Sequence, residues 1–95
     1  MSGTGDPVDP SQLNCPTPVS WVKDVAPLFE PSDIEHMKQA TGGRLDLSDP
    51  TSTEIWSHKV YAYVANGYMP PKPRTPWTQD MVNTFGCWIQ GGFQP

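Results

Sequence analysis

Twelve prolines punctuate a chain of 95 residues. Each fixes its own φ, has no N–H to donate, and turns the preceding residue away from the helical region. With the eight glycines, 20 of 95 residues are turn formers or helix stops. Regular structure is therefore confined to short pieces separated by turns and caps. Four Trp, three Tyr and three Phe argue against disorder, because disordered chains are poor in aromatics. A chain of this length forms one domain at most. It buries about 60–65% of its unfolded surface, so its stability is modest.

The net charge is −4, from 6 Lys+Arg against 10 Asp+Glu. The basic residues Lys23, Lys38, Arg44, Lys59, Lys72 and Arg74 are scattered. A nucleic-acid binder needs a basic stripe that replaces phosphate counterions, and an anionic membrane surface makes the same demand. Neither partner fits. No apolar run approaches the roughly 20 residues that span a bilayer. The segment Met1–Pro7 has neither the basic nor the apolar region of a secretory signal. The cytoplasm is therefore the expected location, where Cys15 and Cys87 are free thiols by default. The alternative is a Cys15–Cys87 disulfide that ties the N-terminal segment to the last helix. It would close a loop of roughly 70 residues and contribute about 4 kcal/mol. The absence of any C-x-x-C pair excludes a zinc ribbon and a thioredoxin-type site.

Residues 1–18 hold four prolines and few large apolar groups, and read as an extended or disordered arm. The helical domain spans 19–95. Its first helix is expected at Val19–Phe29, where Trp21, Val25, Leu28 and Phe29 share one face and Pro27 forces a kink or an end. A second is expected at Asp33–Thr41, N-capped by Ser32, with Ile34, Met37 and Lys38 marking its inner side and Gly42-Gly43 stopping it. Leu45 and Leu47 are inward anchors of the loop that follows. A third helix starts at the capping box Thr51-Ser52-Thr53-Glu54. It carries Ile55, Trp56, Val60, Tyr63 and Val64 on its apolar face and ends at Asn66-Gly67. The stretch Tyr68–Pro76 is a PPII-like crossing segment. A last helix begins near Thr78 or Thr75, with Met81, Phe85, Trp88 and Ile89 on one face. No alternating strand pattern and no internal repeat occurs, so the class is all-α.

The order of motifs resembles a class I cytochrome c domain over roughly residues 19–95. Val25-Ala26-Pro27-Leu28-Phe29 is similar to the segment that leads into haem attachment. Gly67-Tyr68-Met69-Pro70-Pro71 matches the G-x-M-P-P loop of the axial methionine, and Trp88-Ile89-Gln90-Gly91-Gly92 matches the family's C-terminal helix end. The resemblance implies an orthogonal bundle of about four short helices with long Pro-rich loops. Where the family has C-x-x-C-H, this chain has Asp33-Ile34-Glu35-His36-Met37, so covalent haem does not form. The resemblance therefore implies a haem-free relative with no cofactor. In it, Trp56 or Trp77 fills part of the former haem space, since an empty cavity costs about 24 cal/mol per Å3.

The candidate sites follow. Tyr68, Met69, Pro70, Pro71 and Trp77 form an exposed apolar-aromatic patch or a cover over the vacated haem pocket. As a patch they are the partner-binding surface, because aromatics and Met are enriched at interface cores. His36 and Met69 are the alternative ligands of a non-covalent haem or copper; otherwise His36 is a surface residue and Met37 and Met69 pack the core. His58 reads as a surface histidine. Asp33, Asp46, Asp49 and Glu54 lack the spacing of a calcium loop, and Asp49 or Thr51 serves as a helix cap. No nucleophile elbow, phosphate loop or H-E-x-x-H motif is present. The expected function is a non-catalytic accessory domain that binds a protein partner. By analogy with the family, that partner is a larger oxidoreductase of a biosynthetic pathway. The alternative is an electron carrier with a centre at His36 and Met69.

Overall fold

A computed structural model describes residues 8–70 and 74–95 of the chain. All regular structure among them is helical. The α-helices are α1 (Pro31–Ala40), α2 (Pro50–Ile55), α3 (Ser57–Ala65) and α4 (Gln79–Gln90). A 3-10 turn at Pro10–Gln12, a π turn at Trp21–Val25 and a 3-10 turn at Ala26–Leu28 precede them. Among the described residues no helix is long and apolar enough to cross a membrane.

The expected first helix is not an α-helix. Ser20 caps a single π turn, its hydroxyl accepting the Lys23 N–H at 3.3 Å while the Asp24 carboxylate accepts the Ser20 N–H at 2.8 Å. Pro27 has no N–H to continue the ladder, and the chain tightens into the 3-10 turn that contains it. The unpaired N–H groups at the start of the π turn find acceptors at the far end of the chain. Trp21 donates to the Gln94 carbonyl at 3.0 Å and Val22 to the Pro95 carbonyl at 3.2 Å.

Helix α1 begins earlier than the expected Asp33, with Glu30 as N-cap and Pro31 at its first position, the one helical site that suits proline. The Asp33 carboxylate accepts the Glu30 N–H at 2.9 Å. Its other oxygen accepts from Arg74 Nη1 at 2.7 Å, and Arg74 Nη2 pairs with Glu30 at 2.9 Å. Asp33 is only 2% exposed, so Arg74 is the counter-ion of a buried carboxylate. Gly42 and Gly43 both adopt positive φ, which ends α1. Leu45 and Leu47 then enter the core as expected.

The third expected helix is two. Asp49 caps α2 by accepting the Thr51 N–H at 3.1 Å, with Pro50 at the first position, so the Thr51–Glu54 box lies inside the helix. The chain breaks at Trp56 (φ −97°, ψ 10°) and restarts as α3, with Thr53 of α2 on the same buried face. The buried face of α3 is Ser57, Val60, Tyr61 and Val64. Ile55, expected in the core, is exposed.

Helix α4 organises the rest. Thr78 caps it, and Val82, Phe85, Gly86, Cys87 and Trp88 are buried along it. Trp88 packs against Trp21 at 5.1 Å between ring centroids and against Phe85 at 5.6 Å, both tilted, and meets Phe93 edge-to-face at 5.0 Å. Phe29 bridges to Trp77 at 5.3 Å. Trp77 thus belongs to the aromatic core.

Residues 8–18 are not a free arm. Gln90 Nε2 donates to the Pro10 and Leu13 carbonyls at 3.0 and 2.8 Å. Cys15 and Cys87 are joined in a disulfide, with Cα atoms 5.7 Å apart. The expectation of two free thiols is thereby corrected. The composition of the arm hid this, because one half-buried leucine and two carbonyl acceptors do the docking.

The arm and α3 both close on Gly86. A Cβ there would stand 2.9 Å from Tyr61 Cε1 and nearer still to Leu13 Cδ1. Gly86→Ala is expected to destabilise the fold by about 1–3 kcal/mol through overpacking, outweighing the ~1 kcal/mol that alanine gains in a helix. A lower urea midpoint at unchanged slope checks this. Reducing the disulfide, which spans 72 residues of sequence, should cost about 4 kcal/mol, read as the difference between urea curves of oxidised and reduced protein. Arg74→Ala leaves Asp33 buried and unpaired and should cost about 3–5 kcal/mol, whereas Arg74→Lys should retain part of that stability in the same assay.

Candidate binding site between α1 and α3

The face of α3 turned toward α1 is formed by Trp56, Lys59, Val60 and Tyr63, at helical spacing. Met37, Ala40 and Thr41 at the end of α1 stand opposite, and Leu45 also lines the space. These residues enclose an apolar pocket of about 140 Å3. Its α1 wall is fixed by Thr41. The Thr41 hydroxyl donates to the Met37 carbonyl at 2.8 Å and accepts the Leu45 N–H at 2.9 Å.

The pocket opens onto an aromatic strip. Tyr63 is 44% exposed and meets Tyr68, 73% exposed, edge-to-face at 6.1 Å. Trp56 is half-buried, with the Lys59 ammonium 5.9 Å from its ring centroid. Ile55, 77% exposed, extends the strip past Trp56. His58 and Lys59 line the same end.

Lys38 lies 4.0 Å from Asp46. Hydrogen bonds from the Ser48 hydroxyl at 2.5 Å and the Ser48 N–H at 2.9 Å hold the Asp46 carboxyl below its ordinary range, with a smaller pull from Lys38. Asp46 is therefore an anion already engaged by its own loop. On the far side of α3, burial raises the pKa of the Tyr61 phenol, with a lesser push from Asp9. Ser11 donates to Asp9 from its N–H and its hydroxyl, and these bonds lower the Asp9 pKa.

The residues expected to bind a partner are not brought together as one exposed patch. Tyr68 is on the surface, but Met69 (2% exposed), Pro70 and Trp77 (9% exposed) are buried, and Pro71 lies outside the described residues. The chain turns inward after Tyr68, whose N–H and that of Met69 both donate to the Tyr63 carbonyl, at 2.8 and 3.2 Å. His36 is exposed on α1, and neither it nor Met69 lines the α1–α3 pocket. Among the described residues, no group of three or more His, Cys, Asp or Glu is arranged to hold a metal ion.

Ile55, Trp56 and Tyr63 are assigned to the core by their spacing, and Lys59 carries no signal of its own. In the structure the buried face is Thr53, Ser57, Val60, Tyr61 and Val64, so Ile55 and Tyr63 lie off it and Trp56 is half-buried at its edge. No protein-family model, curated protein or solved structure matches the chain.

Proposed function

We propose that the chain is a non-catalytic accessory domain that binds a partner protein through the face between α1 and α3. The observation that carries this reading is the strip of Ile55, Trp56, Tyr63 and Tyr68 beside an open apolar pocket. Among the described residues the other exposed large hydrophobics are Val8 and Val22, and the domain is covalently closed. An apolar patch left exposed on such a domain marks an interaction surface, and its Trp, Tyr and Met content is that of an interface core.

The class of partner rests on the resemblance to cytochrome c domains, which dock on larger redox enzymes. An oxidoreductase of a biosynthetic pathway is the partner proposed. The haem-free character of that reading is supported by Asp33–Met37 standing where the attachment motif would be, and by the aromatic filling around Phe29, Trp77, Phe85 and Trp88. The electron-carrier alternative needs His36 and Met69 at one centre. One is exposed on α1 and the other is buried, so no observation favours it. The Cys15–Cys87 bond supports an oxidising compartment in place of the expected cytoplasm, because such bonds persist where thiols are not kept reduced.

The test is capture of the partner from native cells on the immobilised oxidised chain, followed by titration. The double variant Tyr63→Ala/Tyr68→Ala should bind at least about tenfold more weakly, or 1.4 kcal/mol, while unfolding at the wild-type urea midpoint. Undiminished affinity with the fold intact would sink the reading. Trp77→Ala is the control for core damage, lowering the midpoint.

A further inference from the structure

The net charge of the chain is negative, yet no carboxylate lines the α1–α3 pocket. Its lining holds one charged group, the ammonium of Lys59. Of the other cations, Lys38 meets Asp46 at 4.0 Å and Arg74 is committed to Asp33 and Glu30. Asp46 is in turn held by Ser48. The one charged group at this apolar pocket is thus a cation.

The size of the pocket narrows the occupant. At about 140 Å3 it is well below the roughly 300–1,000 Å3 of a site that encloses a free small molecule. It suits one large side chain, which would contact Met37, Leu45, Val60 and the Trp56 ring. We infer that the pocket is a socket for one aromatic or large aliphatic side chain of an acidic partner segment, with a neighbouring carboxylate of that segment paired to Lys59. This rests on the accessory-domain reading and names the chemistry of its partner. The Lys59 ammonium, 5.9 Å from the Trp56 ring centroid, stands at the pocket wall, where a carboxylate next to an inserted side chain comes within its reach. The apolar contact supplies affinity, and the ion pair selects acidic over neutral segments and is weakened by salt.

The experiment uses the full oxidised chain, isotope-labelled, and two blocked tripeptides. One has phenylalanine between two glutamates; the other has phenylalanine between two glutamines. The acidic peptide should shift the amide signals of Met37, Trp56, Lys59 and Tyr63 at millimolar concentration. The neutral peptide should bind about two- to fivefold more weakly, the range of an exposed ion pair. Lys59→Gln, at an exposed position, should bring the two peptides to equal affinity, and Trp56→Ala should weaken both. Equal binding of both peptides by the wild type, or shifts that avoid the pocket, would overturn the proposal. So would no shift at all. Such a failure alongside Tyr63- and Tyr68-dependent capture of a partner would leave the accessory reading standing. Selective peptide binding without any captured partner would remove that reading and keep the socket.

Discussion

At Gly86 the backbone of α4 lies so close to the Tyr61 ring and the Leu13 side chain that no Cβ fits between them. The next residue, Cys87, bonds covalently to Cys15. These neighbouring positions set the distance of α3 from α4 and hold residues 8–15 in place. The steric contact requires the absence of a side chain, and the covalent one keeps the N-terminal segment from leaving. One turn further on, Gln90 donates to two carbonyls of that segment. A small domain with a limited core gains most from such a closure, because the unfolded chain loses the freedom that the loop removes.

Bracing on the α4 side explains why the α1 side is different. Trp21, Phe85, Trp88 and Phe93 stack around α4, and the carbonyls of residues 94 and 95 complete the π turn. Helix α1 instead meets the rest through Met37, the Asp33–Arg74 pair and the loop that inserts Leu45 and Leu47. Its mean hydropathy is low, as befits a helix with one strongly buried apolar residue. Packing between α1 and α3 is therefore incomplete, and the gap is the pocket.

Much of the architecture was legible in the chain. The all-helical class follows from the apolar spacing and from the stops at Gly42-Gly43, Asn66-Gly67 and Gly91-Gly92. Leu45, Leu47, Phe85 and Trp88 are core residues in sequence and structure alike. What was not legible depends on events between elements. Proline at the first position moved two helix starts, and the buried face from Thr53 to Val64 takes in Ser57 and Tyr61 and leaves Ile55 and Tyr63 outside. The π turn arises because its donors are satisfied by residues more than 70 positions away, which no local pattern reports. The Asp33–Arg74 pair is equally non-local, so Asp33 reads as a first-turn carboxylate suited to the helix dipole.

The burial of Met69 and Trp77 bears on how the loop between α3 and α4 works. A Met-Pro pair could be kept for a ligand, for a surface or for packing, and each use demands a different exposure. Met69 and Pro70 turn into the core directly after Tyr68, and Trp77 does so again before α4 begins. The loop is thus anchored by buried side chains on both flanks. Anchoring at Met69 also fixes Tyr68, because both residues donate to the Tyr63 carbonyl. An aromatic ring held by its backbone on one side and by an edge-to-face neighbour on the other loses little further freedom when a partner arrives. That economy is what makes preorganised tyrosines effective at interfaces. In this chain the burial of Met69 and the exposure of Tyr68 are one arrangement, joined at the Tyr63 carbonyl.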